Sequence, residues 1–307
     1  MAFKKAVKEQ SKLRLALDGL AGTGKTYSSL AVADAIGKLM REHGHGEGRI
    51  AVIDSERGSA SLYADKFDFD VDELESFSPL TYVERIKEAE HLGYDIIVCD
   101  SISHAWMGKD GALDQKDEAA ARSSSGNTWT AWRAVTPKHN AFVDAMLQCK
   151  AHFIATMRQK MEYAQQSDGK KTEIVKLGLA AIQREGMEYE FTVVGDLDHT
   201  HTLKISKSRI STIALGEQFE KPGEAFGRRL YQWLTSGAPP MPRQEPKPDT
   251  TFNALLKSVS AAPDMATLTA VVSGPTKPAK GTPQYDQLAA AYLARKAELT
   301  PAEAKAS

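Results

Sequence analysis

Short apolar runs alternate with amphipathic stretches along the first 237 residues. Residues 13–17, 50–53, 96–99 and 152–157 are brief and mostly apolar, as strands buried on both faces are. Between them, apolar positions recur at helical spacing. Leu30, Val32, Ala33, Ile36, Leu39 and Met40 fall near one face of a helix. Tyr82, Val83, Ile86 and Ala89 do the same behind Ser78 and Pro79, an N-cap followed by proline at the first helical position. Thr136 and Pro137 repeat that cap signature ahead of Phe142, Ala145, Met146 and Cys149. Strands alternating with helices predict an α/β fold: a mostly parallel sheet with helices on both faces. Residues 190–194 and 202–205 read as strands joined by a turn around Gly195, Asp196, Leu197 and Asp198. A helix over Glu224–Thr235 then closes the unit, stopped by Gly237.

The pattern breaks at Pro239, Pro240, Pro242, Pro246 and Pro248. Proline locks φ and lacks an N–H, so this stretch reads as a semi-extended linker. The expected organisation is a core over 1–237, a linker over 238–250 and a small helical tail over 251–307. Three short amphipathic helices are expected in the tail.

Composition changes this picture little. Of 307 residues, 42% are hydrophobic and 26% charged, an ordinary globular balance. No run approaches the ~20 apolar residues of a membrane helix, and residues 1–12 carry no apolar stretch of a secretory signal. Two cysteines, Cys99 and Cys149, make no disulfide scaffold, so a cytoplasmic setting is expected, without membrane partners. The net charge of -1 confines any nucleic-acid contact to local patches.

Gly19, Leu20, Ala21, Gly22, Thr23, Gly24, Lys25 and Thr26 fit the phosphate-loop pattern G-x-x-x-x-G-K-[ST]. The motif follows an apolar strand and opens a helix, as its mechanism requires. Its glycines let backbone N–H groups converge on phosphate oxygens, and the helix N-terminus adds partial positive charge. ATP with Mg²⁺ is the expected ligand. Lys25 would reach the β and γ phosphates, and the Thr26 hydroxyl would hold Mg²⁺. A second acid on the Mg²⁺ side should end an apolar strand, and Asp100 does so. Ser101 follows, where many ATPases carry a glutamate that activates water. The base must come from elsewhere. Glu56, just past the strand at 50–53, is the candidate, with Asp54 as its competitor.

A phosphate loop, a strand ending in Ile53, Asp54, Ser55 and Glu56, and a strand ending in Asp100 and Ser101 together resemble the RecA-type recombinase core. That resemblance implies a RecA-like P-loop NTPase, with Glu56 as the water-activating residue. It also implies that the strand at 153–158 carries a γ-phosphate sensor. The family has glutamine where this chain has Thr156, whose hydroxyl can still bond a phosphate. A closer likeness is to phage-encoded RecA-like ATPases, including the Sak-type single-strand-annealing proteins. It rests on the ordered segments 100–106, 129–137, 156–158, 188–196 and 207–209, and covers about residues 13–235 but not the tail. The resemblance implies ATP hydrolysis on single-stranded DNA, in recombination or annealing, by a homo-oligomeric filament or ring. Lys207 and Arg209 would then reach into a neighbour's ATP site. Such a cation supplied in trans is worth ~10³–10⁵ in rate.

Two segments are candidates for the DNA-binding loops. One is 108–127, read as a long loop and followed by Trp129 and Trp132, which are also candidates for the core. The other is 158–184, with Arg158, Lys160, Lys170, Lys171, Lys176 and Arg184 against Glu162, Asp168 and Glu173. Tyr163 there could stack on a base. The basic N-terminus, with Lys4, Lys5, Lys8 and Lys12, reads equally as a solvated arm or a subunit link. His43 with His45, and His199 with His201, lack a third ligand for zinc. From another class comes an ATP-dependent switch or adaptor with slow hydrolysis. It would recruit a protein through the tail, such as a single-strand-binding protein.

Overall fold

The computed structural model describes residues 5–122, 128–167, 172–239, 250–274, 277–278 and 283–299. Contacts divide the chain into two compact units, Met1–Pro239 and Pro240–Ser307. The first contains β1 (Arg14–Gly19), α1 (Lys25–Glu42), β2 (Ile50–Asp54), β3 (Asp70–Glu73), α2 (Pro79–His91), β4 (Ile96–Asp100) and α3 (Ser103–Met107). There follow α4 (Ala112–Arg122), α5 (Thr128–Gln148), β5 (His152–Ser167), β6 (Thr172–Ala181), β7 (Val193–Leu197), β8 (Thr202–Ser208), β9 (Gln218–Glu220) and α6 (Glu224–Thr235).

The sheet order is β3-β2-β4-β5-β1-β7-β8-β9, with β6 paired to β5 alone. Strands β3 through β7 in that order run parallel, and β8 and β9 add an antiparallel margin. Alternate residues of the central strands enter opposite cores. Leu15, Leu17, Val52 and Val98 pack with α1 and α6, whereas Ala16, Ile53, Ile97 and Cys99 pack with α2 and α5. Burial on both faces explains the unbroken apolar runs. The parallel order places the C-terminal ends of β1, β2, β4 and β5 along one edge, where open α/β sheets bind ligands.

Four expectations needed correction. The segment 108–127 is not a long loop, because α4 occupies Ala112–Arg122. Its alanines favour helix, Asp114 lies in the first turn, and Arg122 pairs with Glu118 one turn back. Residues 123–127 lie outside the described residues. Thr136 and Pro137 do not start a helix, since α5 runs through them. The buried face formed by Ala131, Val135, Phe142 and Met146 outweighs the backbone bond that proline removes. The segment 158–184 is mostly strand rather than loop: β5 continues to Ser167 and pairs antiparallel with β6, while residues 168–171 lie outside the described residues. Finally, Gly195, Asp196 and Leu197 belong to β7, and the turn comes after them. The Asp198 carboxylate accepts the N–H groups of Thr200 and Thr202 at 2.8 and 2.9 Å and so builds that turn.

His152 opens β5 inside the core, and its Nδ1 accepts the Leu13 N–H at 3.1 Å. Burial first, then Lys12 and Arg14, hold its pKa down to about 3. The unfolded chain binds this proton near pH ~6.5. Stability therefore falls as the pH drops below that value, by up to about 1.4 kcal/mol per pH unit, until the folded pKa is reached. His152→Asn keeps an acceptor but does not titrate. Urea midpoints measured from about pH 7 down to about pH 4 should fall less steeply for this variant than for the wild type.

The second unit holds α7 (Thr250–Ser260), α8 (Met265–Val272) and α9 (Pro283–Leu299). Phe252, Leu255, Val259, Ala262, Leu268 and Leu288 form its core. Asp264 caps α8 by accepting the Thr267 N–H at 2.7 Å. Most of the proline-rich stretch, residues 240–249, lies outside the described residues. Among the described residues, no helix is long and apolar enough to cross a membrane.

Candidate active site

Strand β1 ends at Gly19 and α1 starts at Lys25, so residues 20–24 turn tightly between them. Gly24 caps α1 with φ 85°, a left-handed conformation that glycine adopts without strain. A Cβ at Gly19 would sit 2.4 Å from the Thr23 hydroxyl oxygen and 2.9 Å from the Leu197 carbonyl oxygen. The loop can close this tightly only with glycine there. The first bond of α1 runs from the Ser28 N–H to Gly24 O at 2.9 Å. The amides of Lys25, Thr26 and Tyr27 therefore have no helical acceptor, which is the condition for anion binding at a helix N-terminus. The Lys25 ammonium donates to Gly19 O at 3.0 Å and Leu20 O at 2.8 Å, inside its own loop. Burial lowers its pKa, and the charges of Asp100 and Glu56 oppose that shift.

Asp100 ends β4 and is buried. Its carboxylate accepts the hydroxyls of Thr26 and Thr156, one on each oxygen. Burial raises its pKa, although both hydroxyls act to lower it. A hydroxyl and a carboxylate held together form a hard oxygen donor pair, and a carboxylate penalised by burial gains from a cation beside it. These residues fit Mg²⁺. Thr156, expected to meet the γ-phosphate, here bonds Asp100.

Asp54 and Glu56 occupy different surroundings. Asp54 is fully buried, and its oxygens accept the N–H groups of Glu56 and Ala60. It builds the turn after β2. Glu56 enters the cleft, where its Oε1 accepts the Ser101 hydroxyl at 3.0 Å and the Arg158 Nε–H at 2.8 Å. Arg158 Nη2 donates to the other oxygen, completing a two-pronged ion pair. Burial pushes the Glu56 pKa up, but the Arg158 hydrogen bonds and charge, with His104 and Ser101, outweigh it and leave the pKa below the usual glutamate value.

Sequence reading missed the residues that brace this carboxylate. His104 Nδ1 meets the Ser55 hydroxyl at 2.7 Å, and its ring stacks on Phe77 with centroids 4.9 Å apart. Ser55 accepts the Ser101 N–H at 2.8 Å, and the Tyr82 hydroxyl donates to Ser101 O at 3.0 Å. The Ser103 hydroxyl accepts the Arg158 N–H at 2.9 Å. The Asp100–Ser101 peptide is cis. Polar residues directly after β2 and β4 were the available signal, but only the sheet order brings them together.

A cleft of about 890 Å³ joins these groups; its lining includes Lys25, Thr26, Glu56, Asp100 and Arg158. Tyr27, Tyr63, Lys66 and Lys221 line it too, as does His201, whose Nδ1 lies 3.1 Å from Thr23 O. Arg158, grouped with the DNA-contacting residues on sequence, thus pairs with Glu56 in the cleft. Lys160 is exposed on β5, and Lys176 is on β6. Lys170 and Lys171 lie outside the described residues. Lys207 and Arg209 do not line the cleft. Lys207 Nζ donates to Glu188 O and Tyr189 O at 2.7 Å, and Arg209 donates to Tyr189 O at 2.8 Å. Trp132 is half-buried and stacks on Trp106 with centroids 5.6 Å apart.

A family model described as an AAA domain (AAA_24) matches residues 11–221. No curated protein matches the chain. The matched span begins just before β1 and ends just after β9, so it contains the phosphate loop, Glu56, Asp100, Thr156 and Arg158. On that match, which covers well over half of the chain and coincides with this fold and this loop, the protein belongs to the AAA-domain family of P-loop ATPases.

Proposed function

We propose that the protein is an ATPase that works on single-stranded DNA, in recombination or strand annealing, as the likeness to the Sak-type proteins implies. ATP occupies the loop at 19–26, with Lys25 on its terminal phosphates. Thr26 and Asp100 hold Mg²⁺, which neutralises phosphate charge. Glu56 takes the proton of the attacking water, and Thr156 registers the γ-phosphate through Asp100. Lys207 or Arg209 serves the nucleotide of a neighbouring subunit in a filament or ring.

The observation that carries the DNA half of this reading is the continuity of β5. One strand bears Thr156 against Asp100 and Arg158 against Glu56, and then runs on to pair with β6, so that Lys160 and Lys176 extend from the same strand pair. A polyanion on the hairpin would act on the strand that holds both catalytic carboxylates. Adding single-stranded DNA should raise ATP turnover several-fold, and the rise should shrink as salt increases. No rise, together with no retention of DNA in a low-salt gel shift, removes the DNA half.

A switch or adaptor is the second reading, and one observation favours it. Glu56 is paired with Arg158 and Lys25 is bonded to its own loop, and a carboxylate neutralised in this way is a weak base. In this reading the second unit recruits the partner, such as a single-strand-binding protein.

A further inference from the structure

Three neighbouring strands carry polar side chains on one face of the sheet. Asp18 is the penultimate residue of β1, two positions after Ala16. Side chains alternate along a strand, so it shares with Ala16 the face that packs with α2 and α5. Asp196 on β7 is its register partner, two positions after Val194 and on that same face. Adjacent strands lie about 4.8 Å apart, so the two carboxylates are neighbours. Gln159 follows Met157 by two positions on β5, the strand on the other side of β1. Its Nε2 donates to Asp196 Oδ1 at 2.6 Å, joining β5 to β7 across β1.

Asp18, enclosed between these two strands, is only 5% exposed, and its Oδ1 is buried with no hydrogen-bond partner among the described residues. A buried carboxylate calls for a donor or a positive charge. Among the described residues no lysine or arginine forms an ion pair with Asp18 or Asp196, although Lys204 on β8 is the register partner of Asp196. Burial first, then the charges of Asp196 and Glu188, disfavour the ionised form of Asp18, and Lys25 offsets only part of this. The oxygens at hand are hard donors. Asp196 has a second carboxylate oxygen, and Gln159 keeps its amide oxygen as an acceptor. No three of His, Cys, Asp and Glu among the described residues are placed to hold a metal together, so the third donor here is an amide. Two carboxylates and an amide oxygen, with water completing the shell, suit Mg²⁺ or Mn²⁺.

We propose that Asp18, Asp196 and Gln159 form a divalent-cation site, for Mg²⁺ or Mn²⁺, distinct from the pair Thr26 and Asp100. The two lie on opposite faces of the sheet, since Asp100 follows the alternation of Ile96 and Val98, which pack on the α1 side. The ion ties together β5, β1 and β7 near their C-terminal ends. Asp18 immediately precedes Gly19, so the tie fixes the point from which the phosphate loop departs. This goes beyond the ATPase reading, because none of the three residues takes part in the proposed hydrolysis.

The test is Mn²⁺ binding to the full-length protein without nucleotide, read by electron paramagnetic resonance and by thermal melting. Wild type should bind Mn²⁺ and melt several degrees higher in its presence. Asp18→Asn and Asp196→Asn should each weaken binding about tenfold or more and lose most of that gain in melting temperature. Without the ion, Asp18→Asn should melt no lower than wild type, because it removes a buried charge. Asp196 is only half-buried, so its variant keeps the test sound if the Asp18 substitution loosens the fold. Gln159→Leu should weaken binding several-fold. Thr26→Ala, on the other face, should bind within about twofold of wild type. Wild type that neither binds Mn²⁺ nor gains stability from it overturns the proposal, since a proton alone then neutralises the pair. Wild-type affinity in both Asp18→Asn and Asp196→Asn overturns it too. So does a loss in Thr26→Ala as large as in Asp18→Asn, which would put the ion at the phosphate loop.

Discussion

Lys25→Ala should lose ATP turnover by about 10³-fold or more and stay folded. Among the described residues, the ammonium bonds Gly19 O and Leu20 O, both in its own loop. Burial already disfavours its charge, and removing it withdraws a favourable neighbouring charge from the buried Asp100 and Asp18 without breaking a side-chain hydrogen bond to either. Its contribution appears when phosphate charge enters the loop and grows as that charge shifts toward the leaving oxygen. Thermal melting without nucleotide should move by only a few degrees, whereas the stabilisation that wild type gains from ATP should largely vanish. Turnover within tenfold of wild type would mean that phosphate is not held by this loop.

Glu56→Gln should lower turnover by about 10²–10⁴-fold, the range in which a positioned general base contributes. Glutamine fills nearly the same volume and can still accept the Ser101 hydroxyl that Glu56 accepts at 3.0 Å. Proton acceptance is what disappears. Single-turnover quench measurements with ATP already bound separate this loss from any change in affinity. A switch with no catalytic demand on Glu56 would keep its slow basal rate in the variant, which distinguishes the two functional readings. Asp54→Asn should act through the fold instead, since the Asp54 oxygens hold the N–H groups of Glu56 and Ala60.

The parallel core was legible because its cause is local. A strand covered on both faces must be apolar at most positions, and 13–17, 50–53, 96–99 and 152–157 are. The phosphate loop was legible for a similar reason. Its glycines, lysine and threonine all sit on one short segment, so order along the chain carries the geometry. The errors fell where tertiary contacts outweigh local preference. Pro137 lies inside a helix because the apolar face of α5 continues across it. Gly195 and Asp196 lie in a strand because β1 and β8 pair with β7 on either side.

Sequence alone thus determined the layered α/β architecture, the place of the phosphate-loop motif and the pair of acids at the strand ends. The folded chain alone decided that Asp54 supports a turn while Glu56 faces the cleft. It also placed Arg158, numbered 102 positions after Glu56, on that carboxylate. A guanidinium on a strand reads from sequence as surface charge, and only the adjacency of β2, β4 and β5 through their parallel register makes it the partner of the Glu56 carboxylate. Backbone-encoded chemistry can be read in one dimension because its geometry is local, whereas an ion pair between distant strands exists only once the sheet has chosen its neighbours.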